Sequence, residues 1–110
     1  MDEAVLVKFR VKHTYEILEE MGVWWGGWND CPDWHTMRDK AQEWYVKYGA
    51  DLKEISHDTL VFGCRKLSEE EVDALWDDIC QFAPNSRDIA DEDVIKERLW
   101  LNSEFTLWWD

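Results

Sequence analysis

Val5, Val7, Phe9 and Val11 share one side of an alternating segment in which Lys8 and Arg10 take the other, and that period of two predicts a strand. The period then lengthens. Ile17, Leu18 and Met21 fall on one side of a short helix from about Thr14 to Met21, which Gly22 ends. Gly26-Gly27 and Cys31-Pro32 bracket a turn-rich segment that carries Trp24, Trp25 and Trp28 and reads as a rigid aromatic loop or a short strand. Asp33 is suited to cap a longer helix to about Tyr48, in which Trp34, Met37, Ala41, Trp44 and Tyr48 recur at spacings of three and four before Gly49 stops it. Leu52 to Ile55 and Thr59 to Gly63 then read as a hairpin closed by Ser56-His57-Asp58.

Ser68 and Glu71 have the spacing of a capping box, so a helix starts there, with Val72, Leu75, Trp76, Ile79 and Phe82 as its buried stripe. Pro84-Asn85-Ser86 marks a loop, Asp91 can cap a helix from Glu92 to about Leu101, and Phe105 to Trp109 reads as a last strand. This order predicts a single α+β domain over residues 1–110, with a small mixed or antiparallel sheet of about four to five strands covered by three to four helices. Strand order does not follow from it.

Composition sharpens the picture in two places. Nine tryptophans in 110 residues exceed what one small core can bury completely, so some belong at its rim or on a binding surface. The three cysteines, Cys31, Cys64 and Cys80, are odd in number and lack a close pair, which fits reduced thiols. No apolar run approaches the ~20 residues that span a bilayer, and Met1-Asp2-Glu3 does not begin a signal peptide, so the expected location is the cytoplasm, with no membrane partner.

Charge changes it more. Between Ser68 and Ile95 ten acidic residues stand against the single basic Arg87, a formal −9 of the chain's −13. Such a surface repels nucleic acid and attracts basic protein surfaces. Charge runs most often mark merely solvated faces, and acids in a first turn also suit the helix dipole. The stretch from Ser68 to Ala83, however, holds six acids and no base, and so forgoes the i,i+4 pairs that steady exposed helices.

The candidate chemistry is thin. Cys31 and His35 are four apart and could share a metal or act as nucleophile and base, but two further ligands would have to come from Cys64, Cys80, His57 or Asp30 through folding, and ordinary buried thiols are the simpler reading. His57-Asp58 resembles an acid/base pair, although an aspartate at a turn normally bonds its own backbone. Asp77-Asp78 and Asp91-Glu92-Asp93 lack the alternating ligands and central glycine of a calcium loop. Tryptophans near Gly26 invite a base-stacking reading, yet only Lys8, Arg10, Lys12, Arg38 and Lys40 offer scattered positive charge nearby, so direct nucleic-acid binding is not expected. No catalytic constellation, metal site or cofactor is implied.

Four motifs do suggest kinship: Gly26-Gly27-Trp28-Asn29-Asp30-Cys31-Pro32; Trp44-Tyr45 with Lys47-Tyr48-Gly49-Ala50; Ile55-Ser56-His57-Asp58-Thr59-Leu60; and Trp108-Trp109-Asp110. In this order, over about residues 26–110, they resemble the bacterial domain of unknown function 4253 family. The resemblance implies no catalytic role.

The expectation is therefore a non-enzymatic binding protein. Its acidic face, Glu69, Glu70, Asp73, Asp77, Asp91, Glu92 and Asp93, would dock on a basic partner such as a nuclease or other nucleic-acid-binding protein. A phage-type inhibitor mimicking nucleic acid, as in anti-CRISPR or anti-restriction proteins, is its most concrete form. The alternative is a housekeeping or immunity-type domain of the resembled family, binding a protein or small ligand through an aromatic patch of Trp24, Trp25 and Trp28.

Overall fold

The computed structural model describes residues 12–22, 25–28 and 31–109. The strand expected from Val5 to Val11 and the side chain of Trp24 lie outside these residues. Within them the chain runs α1 (Glu16–Met21), α2 (Trp34–Tyr48), β1 (Asp51–Ile55), β2 (Thr59–Gly63), α3 (Glu69–Phe82), a 3-10 turn (Pro84–Asp88), α4 (Glu92–Asn102) and β3 (Glu104–Trp108).

Local signals place most of these boundaries. The Asp33 carboxylate accepts from the Thr36 amide at 2.9 Å, and α2 ends on Gly49 in the left-handed region, where a glycine escapes the Cβ penalty. Ser68 and Glu71 complete the capping box reciprocally, at 3.2 and 3.1 Å. Asp91 does sit at the N-cap of α4, but its side chain makes no capping bond.

The three strands form one antiparallel sheet in the order β1-β2-β3. Among the described residues that is fewer than the four to five strands expected. Among its described residues the tryptophan segment contributes only an isolated bridge, Gly26 to Asp33, because Gly26 and Gly27 take φ of +75° and +77° and turn the chain out of an extended path. A β-carbon at Gly26 would stand 2.2 Å from the Pro32 carbonyl oxygen. Gly26→Ala is therefore expected to cost about 1–3 kcal/mol through backbone strain, read as a lower midpoint of denaturant unfolding.

One sheet face, carrying Leu52, Leu60, Phe62, Phe105 and Leu107, is buried. Trp44 from α2 stands edge-on to Phe62 and Phe105, at centroid distances of 5.7 and 5.4 Å, and to Phe82 of α3 at 6.0 Å. This aromatic contact joins α2, α3 and the sheet. Ile79, Leu75, Met37 and Leu99 belong to the same buried core, and the predicted α3 stripe of Val72, Leu75, Trp76 and Ile79 is buried while Phe82 is half-buried. No helix among the described residues is long and apolar enough to cross a membrane.

Candidate functional site

The two tryptophans of the expected aromatic patch that are described, Trp25 and Trp28, are occupied with structure. Trp25 is 2% exposed, stands edge-on to Trp109 at 5.7 Å and donates its indole N–H to the Ser56 carbonyl at 2.8 Å. Trp28, half-buried, donates likewise to the His57 carbonyl at 3.2 Å, and the Trp109 amide reaches the Asp58 carbonyl at 3.0 Å. Each carbonyl of the Ser56-His57-Asp58 turn thus receives a bond from a tryptophan. Trp25 offers no area to a partner, which corrects its place in the expected aromatic patch: its large ring is needed in the core, and its N–H finds a partner only on the hairpin. The motifs at Gly26, Ile55 and Trp108 therefore meet in space as a clasp on the hairpin tip.

The members of the candidate catalytic pairs sit in unlike surroundings. Cys31 is buried, which pushes its thiol up to about 11, whereas His35 is exposed and stacks on Trp34 with ring centroids 3.7 Å apart. The Asp58 carboxylate accepts from the Thr59 hydroxyl at 2.9 Å and the Ser56 hydroxyl at 3.3 Å, and these bonds, Thr59's foremost, hold its pKa below the ordinary value. It serves the turn rather than His57, whose nearest nitrogen is 3.7 Å away. Among the described residues no group of three or more His, Cys, Asp or Glu side chains gathers as a metal shell.

The acids of α3 divide by what they touch. Glu71 pairs with the Arg65 guanidinium and accepts the Ser68 amide, and these bonds draw its carboxyl down to about 2. Asp78 accepts from the fully buried Trp44 indole at 2.7 Å and from Lys40 at 2.8 Å. Burial by itself would raise the Asp78 carboxyl; the bonds from Lys40 and Trp44 outweigh it and hold the group low. Asp73 meets Lys96 of α4 at 3.0 Å. The helix is thus not left without cations, as its own sequence suggested: Arg65, Lys40 and Lys96 reach it from outside, through folding rather than i,i+4 spacing.

Glu71 and Asp78 are held lower when folded than when unfolded. Their contribution is complete at neutral pH and disappears as the pH falls, for Glu71 from about 4.5 down to about 2. Glu71→Gln should accordingly melt below the wild type at pH 7 and converge with it as the pH is lowered through that window, as thermal unfolding across a pH series would show.

Seven acids, Asp73 among them, face water. Glu69, Glu70, Asp73 and Asp77 on α3, and Asp91, Glu92 and Asp93 at the start of α4, are all exposed. Packing makes them neighbours, since Trp76 of α3 donates to Glu92 at 2.6 Å and Lys96 reaches both Asp73 and, at 3.9 Å, Glu92. Glu69, Glu70, Asp77, Asp91 and Asp93 form no ion pair among the described residues. Sequence reasoning missed the Lys96 bridge, although its i,i+4 spacing from Glu92 was a signal for part of it.

The model of the family described as domain of unknown function (DUF4253) matches residues 5–110, so the match begins some twenty residues before the first of the four motifs. Neither a search of curated proteins nor one of solved structures found a match.

Proposed function

We propose a function for this chain, which belongs to the DUF4253 family, from its own surface: it is a non-enzymatic binding protein whose carboxylate face docks on a basic, nucleic-acid-handling protein. The observation that carries this reading is the side-by-side packing of α3 and α4, which gathers seven exposed acids and leaves five of them without an ion pair among the described residues. Such a field raises the rate at which a basic surface is met and rejects acidic ones. An inhibitor that occupies an Arg/Lys channel in place of nucleic acid is the most specific form of the proposal, acting from the cytoplasm. The burial of Cys31 and the use of Asp58 in a turn favour binding over catalysis.

The test is capture of partners from bacterial lysate on the tagged chain, followed by competition with duplex DNA and with RNA. Release of a basic nucleic-acid-binding protein by either polymer supports mimicry. A partner retained against both polymers and against moderate salt contradicts it.

A further inference from the structure

Beside the N-terminal part of α3 and the C-terminal half of α4 lies a groove of about 200 Å³, lined by Glu69, Val72, Asp73, Lys96, Glu97 and Trp100. It is smaller than the roughly 300–1,000 Å³ of small-molecule sites, so its size suits one side chain rather than a cofactor. Val72 and Trp100 give it apolar walls, and its three carboxylates outnumber Lys96 and the neighbouring Lys66, which leaves it net negative. Lys96 is already engaged by Asp73, while Glu69 and Glu97 have no ion pair among the described residues. Trp100 is 46% exposed, so part of its ring is open to a partner. The same indole already takes a cation: the Lys66 ammonium lies 4.8 Å from its centroid and bonds the Trp100 carbonyl.

We propose that this groove holds a single arginine side chain of the basic partner, an inference that rests on the docking role of the acidic face. The occupant follows from complementarity. A guanidinium is flat and weakly hydrated, so it can stack on an indole while its forked N–H groups reach carboxylates at the rim. A lysine ammonium is compact and strongly hydrated and gains less from such walls. The groove therefore selects arginine over lysine, which the diffuse field of the acidic face does not.

Titration of the ¹⁵N-labelled chain with capped hexa-arginine and hexa-lysine peptides, followed through the indole N–H signals, tests this. Hexa-arginine should bind about fivefold more tightly than hexa-lysine, the scale of one cation–π contact, and should shift the Trp100 indole signal. Trp100→Ala and, separately, the milder Glu97→Gln should each bring the two affinities together, with the other indole signals reporting an intact fold. Asp91→Asn with Asp93→Asn, outside the groove, should weaken both peptides alike and preserve their ratio. Equal affinities in the wild type, or a preference that survives both groove variants, would overturn the arginine site; the acidic face would still stand if the Asp91/Asp93 variant weakened binding. Failure of both peptides to bind would overturn both.

Discussion

Alanine in place of Trp25 is expected to lower the stability of the fold by about 3–5 kcal/mol, the range for removing a buried aromatic ring. Three losses combine. The ring leaves a cavity against Trp109, the edge-on aromatic contact disappears, and the Ser56 carbonyl loses its indole donor. For a domain of this size the total is a large share of the roughly 5–15 kcal/mol that holds a fold together, and the melting temperature should drop on the order of 20 °C. Thermal and denaturant unfolding would measure it. Were Trp25 a surface anchor for a partner, the same variant would keep its stability and lose only binding.

The second large effect is on association. Glu70→Lys with Asp77→Lys should weaken partner binding about a hundredfold, or ~2.7 kcal/mol, because each change removes an attraction and installs a repulsion at a basic surface. These two positions are the informative ones. Asp73 is tied to Lys96, so reversing its charge would also disturb the contact between α3 and α4. Glu70 and Asp77 are exposed and have no ion pair among the described residues. Stability should change little: a lysine in the first turn of α3 opposes the helix dipole by about 0.3–1 kcal/mol, and relief of repulsion among the remaining acids offsets part of that. Binding by titration calorimetry beside a melting curve separates the two effects.

What could be read along the chain was whatever a few neighbouring residues decide. Asp33 and Ser68 start helices through bonds to amides three residues on, Gly49 ends one through its own backbone freedom, and the alternation of β2 and β3 follows from one buried face. The tryptophan segment misled because the indoles of Trp25 and Trp28 are satisfied some thirty residues away: Trp25 looks like a loop residue until the Ser56 carbonyl is brought beneath it. The role of Asp78 was hidden for the same reason, since Lys40 and Trp44 lie on another helix.

The candidate site was legible as a set of exposed acids but not as a surface. Which carboxylates turn inward to Arg65 and Lys40, and which remain in water, depends on how α3 lies against its neighbours. The groove is a further step removed. Lys96, Glu97 and Trp100 carry no motif, and only the packing of α4 beside α3 gives them Glu69, Val72 and Asp73 as company.

The most direct measurement is the affinity of the captured partner for the wild type and for the Glu70→Lys/Asp77→Lys variant across a salt series. If the carboxylate face makes the contact, wild-type affinity falls steeply as salt screens it, and the variant binds weakly with a shallower dependence. Equal affinities for the two proteins, unmoved by salt, would contradict the account.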